Sequence, residues 1–303
     1  MKRFILKILA FALIPIGFYI YFIFAIPVPD DLYFIEYNKK MELLERVPSP
    51  RIIFVGGSSL AFGLDSKRIQ DSLKLPVINS ALHAGIGLKF ILDDAASYFR
   101  KGDIVFITPE YTHFDGGAYG ESLTLPILLK ATKWKKLNLL NKKQWYIFLK
   151  GIPDLRKYAK MPKEGYKASN FNEFGDEVFH WTIPDLPIPP SSYACNPLDE
   201  DFFMYFIEKV NEIEKMGCTV IISPCACRES LYNAYKNIDK IEKRLAELKR
   251  PFNTPARKHA LDDSCAFDTD FHLNKKGVDI FKNVLYNHSC VTAKGIKKCL
   301  KRK

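Results

Sequence analysis

No internal repeat and no low-complexity tract occurs in the 303 residues, so repeat arrays are set aside. Apolar residues are not scarce: with 48% hydrophobic and 26% charged residues, the chain can bury the core of one large domain or two small ones, and disorder is excluded. C-x-x-C spacing is also missing. The closest cysteines, in Pro224-Cys-Ala-Cys227, stand too near each other for a zinc knuckle and read as core or loop residues. No metal or organic cofactor is expected. The seven cysteines cannot all pair within the chain, and their spacing fixes no disulfide connectivity. The net charge of +11 has no local focus except Lys294 to Lys303, so no nucleic-acid groove is drawn. A basic exterior suits an anionic membrane or an acidic glycan.

Charge is absent from the nineteen residues Ile8 to Ile26, close to the ~20 residues that carry an α-helix across a bilayer. Lys2, Arg3 and Lys7 precede this run, and Asp30 and Asp31 follow it, which places the N-terminus in the cytoplasm and the rest of the chain outside. The exit, Phe24-Ala-Ile-Pro-Val-Pro29, lacks a small-x-small cleavage site, so residues 1–29 read as a retained membrane anchor, not a cleaved signal.

Beyond the anchor, strand and helix patterns alternate. Asp31 to Val47 is helix-compatible, and Arg51-Ile-Ile-Phe-Val55, Pro76-Val-Ile-Asn79, Asp103 to Thr108 and Cys218 to Ser223 read as buried parallel strands. Helices are expected at Leu88 to Phe99, Asp201 to Met216, Leu231 to Leu248 and Asn274 to Tyr286. Strand, helix, strand is βαβ logic. This gives one three-layer α/β domain over 30–290, interrupted at about 116–197 by an aromatic, Lys-rich and Pro-rich insertion, and followed by a basic tail at 291–303.

Four segments carry candidate chemistry. In Phe54-Val-Gly-Gly-Ser-Ser59 a buried strand ends in small residues, which let a turn project the Ser58 hydroxyl and leave its N–H free for an oxyanion. In Asp268-Thr-Asp-Phe-His272, His272 is the general base for that serine, and Asp268 or Asp270 orients its ring. The separation of four lets Asp268 fold back onto the imidazole in a turn, so Asp268 is preferred. Asp270 is then left to cap the last helix or meet solvent. Gly85 or Gly87, after the second strand, can offer a further oxyanion N–H. Glu110 and His113, beyond the third strand, and His83 are expected to line the same crevice for substrate.

Together these blocks resemble the SGNH (GDSL-like) hydrolase superfamily. Gly56-Gly57-Ser58 stands in the place of its Gly-Asp-Ser, Gly85 or Gly87 in that of its oxyanion glycine, and Asp268 to His272 in that of its terminal Asp-x-x-His. The resemblance covers about Arg51 to Tyr286 and implies a three-layer α/β/α, flavodoxin-like parallel sheet. Two departures stand out: Thr269 occupies the position three before His272, and Pro109-Glu-Tyr111 replaces Gly-x-Asn. An ionised Glu110 cannot donate, so Tyr111 is the expected substitute donor to the oxyanion.

Val-Gly-Gly-Ser-Ser, His-Ala-Gly-Ile-Gly-Leu and Pro-Glu-Tyr are similar to a bacterial subgroup with one N-terminal membrane helix, and the topology is that of accessory acyltransferases of alginate acetylation and teichoic-acid D-alanylation. The resemblance implies an extracytoplasmic O-acyl esterase or O-acyltransferase, single-pass in the bacterial inner or plasma membrane. Its expected substrates are an acylated cell-envelope glycan or another acyl ester, with a membrane-bound acyl donor protein as partner. Aromatic residues of the insertion (Trp134, Tyr146, Tyr166, Trp181, Tyr193) could stack on sugar rings. The rival expectation is a catalytically silent scaffold that binds a glycan or a membrane partner.

Overall fold

A computed structural model describes residues 1–158, 165–190 and 195–288. The basic tail, Cys290, Cys299 and Tyr193 therefore lie outside the described residues. Four parallel strands, β1 (Ile52–Gly56), β2 (Val77–Asn79), β3 (Ile104–Thr108) and β4 (Thr219–Ile222), form a sheet in the order β2-β1-β3-β4. The register aligns Ile52 with both Val77 and Ile104, and Ile104 with Thr219. Their β-branched and aromatic residues suit a sheet covered on both faces. Ile53, Val55, Val105 and Ile107 join one apolar cluster, whereas Ile52, Phe54, Ile104 and Phe106 join another. A second parallel pair, β5 (Cys227–Arg228) with β6 (Ala260–Leu261), stands apart.

The helices are α1 (Lys2–Phe24), α2 (Glu36–Arg46), α3 (Ser58–Ala61), α4 (Ser66–Leu73), α5 (Leu88–Ala96), α6 (Thr124–Ala131), α7 (Lys142–Gly151), α8 (Leu155–Tyr158), α9 (Glu200–Lys215), α10 (Glu229–Ala234), α11 (Asn237–Glu247) and α12 (Lys275–His288). Leu88, Phe90 and Ile91 of α5, with Phe202, Phe206 and Val210 of α9, pack on the first face. Ile69 of α4 and Val278 and Phe281 of α12 pack on the second. The chain is thus a mixed α/β protein with a parallel four-stranded sheet and one apolar N-terminal helix. Within α1, Lys2–Tyr21 is long and apolar enough to cross a membrane, and none of that window is buried in the protein.

One expectation needs correction. The single helix over Leu231 to Leu248 is divided at Tyr235, whose φ of −90° and ψ of 90° leave the helical region. Its hydroxyl bonds the Asp115 carboxylate, and Asn237 Nδ2 reaches the same oxygen at 2.9 Å. Tertiary bonding there outweighs local helix propensity. Within the insertion, the turn Ile152–Asp154 and α8 pack against α1, whereas Tyr166 and His180 reach the loop that carries His272.

Gly175 and Asp176 help to position the site. Asp176 accepts from Ser66 N at 2.8 Å, Ser66 Oγ at 2.7 Å and Asn79 Nδ2 at 2.9 Å. Lys40 Nζ donates to Asn79 O at 3.0 Å and to Gly175 O. Satisfied buried polar groups of this kind fix a geometry, because breaking one leaves a costly unpaired partner. Here they hold the end of β2, from which the next site segment departs.

Candidate active site

β1 ends at Gly56, and Gly57 turns the chain so that Ser58 opens the short α3. Gly57 is required for space: a Cβ there would lie 2.4 Å from Glu110 Oε1 and 3.0 Å from the Ala84 Cβ. Glu110, just past β3, accepts from Ser59 N at 3.0 Å and from Ser58 Oγ at 3.4 Å. Burial raises the Glu110 carboxyl above its usual range, opposed by the Ser59 N–H, the nearby His272 charge and the serine hydroxyls. Ser58, Ala84 and Glu110 therefore meet at the carboxyl ends of β1, β2 and β3, where open α/β sheets hold ligands.

His272 faces this edge from the loop between β6 and α12. Its Nδ1 stands 2.7 Å from Asp268 Oδ1. Thr269 Oγ1 takes the His272 N–H at 3.1 Å, and Phe267 N donates to His272 O at 2.8 Å. These bonds fold the loop so that residues four apart meet. Phe62, one turn beyond Ser58, stacks on the imidazole with ring centroids 4.0 Å apart and planes 5° from parallel. Burial pushes the Asp268 carboxyl up, but the His272 hydrogen bond and charge and the Tyr166 hydroxyl outweigh it, and the net shift is downward. With Nδ1–H donated to Asp268, Nε2 is left to accept a proton.

Asp270 does not share that role. Its carboxylate pairs with Arg228 Nε, and its carbonyl takes the Arg228 N–H at 2.9 Å. It neither orients His272 nor caps α12, because Asn274 Oδ1 accepts from Gly277 N at 2.9 Å.

The expected oxyanion donors are also displaced. The Gly85 N–H is spent on His83 Nδ1 at 3.0 Å, and the Gly87 N–H on Ala84 O at 2.8 Å. Gly87 serves another purpose: at φ +89° its missing Cβ would lie 2.3 Å from Gly120 N. Tyr111 is fully buried and donates to Cys225 O at 3.3 Å, away from the serine. The amides of Ser58 and of Ala84 donate to no acceptor among the described residues. Ala84 opens the turn Ala84–Ile86, with its Cβ beside Gly57.

His83 and His113 are braces. His113 Nδ1 accepts from Glu110 N at 3.0 Å and its Nε2 meets Ala84 O at 3.2 Å, tying the loops after β2 and β3 together. Burial pushes both rings down to about 4, so both are neutral at neutral pH.

Three residues inside the supposed insertion complete the site without any local signal of it. Tyr166 OH donates to Asp268 Oδ2 and lies 3.3 Å from His272 Nδ1. Glu177 pairs with His180 Nδ1, and His180 Nε2–H donates to Leu273 O at 2.8 Å, bracing the loop beside His272. Their ring contacts are equally specific, since Phe62 lies between His272 and His180. Trp134, by contrast, packs on Phe148, and Trp181 carries Lys275 over its ring.

No hydrogen bond joins Ser58 Oγ to His272; the hydroxyl is turned toward Glu110. Both residues are buried, each 7% exposed. Comparison with protein-family models, curated proteins and solved structures returns no match for this chain.

Proposed function

We propose that this chain is an SGNH-like serine O-acyl esterase or O-acyltransferase with a three-layer α/β/α core, held by one N-terminal helix in a bacterial inner or plasma membrane with its site outside the cytoplasm. The observation that carries this reading is the Asp268–His272 pair at the same sheet edge as Ser58, with Phe62 fixing the ring. The reading requires Ser58 Oγ to turn from Glu110 to His272 Nε2, which would pair the nucleophile with its base.

Ser58 Oγ attacks the acyl carbonyl carbon while its proton passes to His272 Nε2, and Asp268 stabilises the imidazolium. The oxyanion is met by the Ser58 and Ala84 N–H groups. The C–O bond to the leaving alcohol breaks, and that alcohol takes the proton from His272. A sugar hydroxyl or water then repeats the sequence on acyl-Ser58. An acylated envelope glycan, another acyl ester or a membrane-bound acyl donor protein supplies the group. No step calls for a metal or organic cofactor.

The second reading, a catalytically silent scaffold that binds a glycan or membrane partner, is favoured by one observation: Ser58 Oγ is held by Glu110. Turnover of p-nitrophenyl acetate by the detergent-solubilised chain separates the two. The enzyme reading expects Ser58→Ala and His272→Ala to lose at least ~10³-fold, whereas a scaffold would give the same rate in all three proteins.

A further inference from the structure

The unpartnered face of α7 has a repeat of its own. Lys142, Trp145, Tyr146 and Leu149 follow i, i+3, i+4, i+7 spacing on one exposed stripe, whereas Gln144, Phe148 and Gly151 turn inward. Trp145 is 39% exposed, Tyr146 67% and Leu149 47%. Lys142 and Lys150 border the stripe, and of the nine Lys or Arg in residues 130–158 three are paired, Lys136 with Asp94, Lys143 with Asp199 and Lys157 with Asp154. Trp and Tyr at the rim of an apolar stripe, with cations around it, are the composition of a bilayer interface.

Its position in the fold gives the stripe a partner. α7 runs into the turn Ile152–Asp154 and then α8, and both pack against α1. Lys130, at the end of α6, donates to Ile23 O in the last turn of α1. Tyr19 and Ile23 pack against the domain, whereas Phe11, Leu13 and Ile14 are exposed. α7 leads directly into the contact with α1, so where α1 enters a bilayer α7 stands beside its surface. We infer that the Lys142–Trp145–Tyr146–Leu149 face rests in the headgroup region of an acidic phospholipid bilayer, so that the protein meets the membrane twice, through α1 and through α7. Two contacts fix the orientation of the domain, where a single helix would leave it free to swing. The inference rests on α1 lying in a bilayer and is independent of the proposed chemistry.

The test uses the full chain in vesicles of phosphatidylglycerol and phosphatidylcholine whose acyl chains carry bromine at shallow or deep positions. Trp134→Phe with Trp181→Phe leaves Trp145 as sole emitter, and Phe11→Trp in a chain whose three tryptophans are replaced by Phe reports on α1. The expectation is about twofold quenching of Trp145 by shallow bromine, stronger than by deep bromine, while the tryptophan at 11 is quenched best by deep bromine. Lys142→Glu with Lys143→Glu and Lys150→Glu should weaken the Trp145 signal in acidic vesicles alone. Quenching at 11 with unchanged Trp145 emission would overturn the inference. So would a blue shift of Trp145 in native membranes without bromine quenching, which would mean that a protein covers α7. Failure of quenching at both positions would remove α1 from the bilayer and the inference with it, leaving the esterase assay untouched.

Discussion

Asp268 Oδ1 lies 2.7 Å from His272 Nδ1, while Asp270, two residues nearer, turns its carboxylate to Arg228. Two aspartates of one loop therefore have separable duties. Asp268→Asn should cost on the order of 10⁴-fold in ester turnover. Asp270→Asn should keep near-normal turnover but melt earlier, since weakening a buried ion pair costs up to about 3–5 kcal/mol. Steady-state rates and thermal melts of the two variants check this; a crippled Asp270→Asn beside a normal Asp268→Asn would exchange their roles.

Tyr111 and Gly57 give a contrasting pair. Tyr111→Phe removes a hydroxyl spent on Cys225 O, so turnover should persist and stability fall by about 1 kcal/mol. Gly57→Ala drives a methyl into Glu110 and Ala84, and should lower turnover ~10²-fold or more, the scale of losing an oxyanion donor. Equal activity losses in both variants would speak against the Ser58 and Ala84 amides as the donors.

The two site carboxyls link stability to pH with opposite signs. Asp268 is depressed below its usual value, so its contribution is present above the unfolded pKa of about 3.9 and is lost as pH falls through the folded value. Glu110 is raised, so the folded state favours its protonated form, and stability declines as pH rises from about 4.3 through the folded value. Glu110→Gln should therefore gain stability over the parent as pH rises through that window, with the Ser59 N–H still accepted by the amide oxygen. Denaturant melts from about pH 4 upward, the range above the ordinary Glu value, would show a constant difference between Glu110→Gln and the parent if Glu110 were not a buried acid.

The strands were legible because Ile52 to Val55 and Ile104 to Ile107 are buried on both faces, which a continuous apolar run announces. The Asp268–His272 pairing was legible for the opposite reason, being closed within five residues. Other features depend on partners far along the chain. Tyr166 reaches Asp268 across 102 positions, and Arg228 reaches Asp270 across 42; neither distance leaves a mark in spacing. The oxyanion glycines failed on a local bond: His83 Nδ1 captures the Gly85 N–H two residues on, which composition alone does not disclose.

Membrane topology is checked with a reporter fused after residue 303. On the proposed topology it should be active outside the cytoplasm and stay with membranes after carbonate washing, the orientation expected for a charge-free span preceded by Lys2, Arg3 and Lys7. Soluble mature protein beginning near Val28 would indicate cleavage instead.

The central claim is that Ser58 is a nucleophile driven by His272, and fluorophosphonate labelling of the full chain in detergent, located by peptide mass spectrometry, tests it most directly. The account predicts one adduct on Ser58, none in Ser58→Ala, and labelling slowed at least ~10²-fold in His272→Ala. An unlabelled native chain, or a Ser58→Ala variant labelled as fast as the parent, would contradict it.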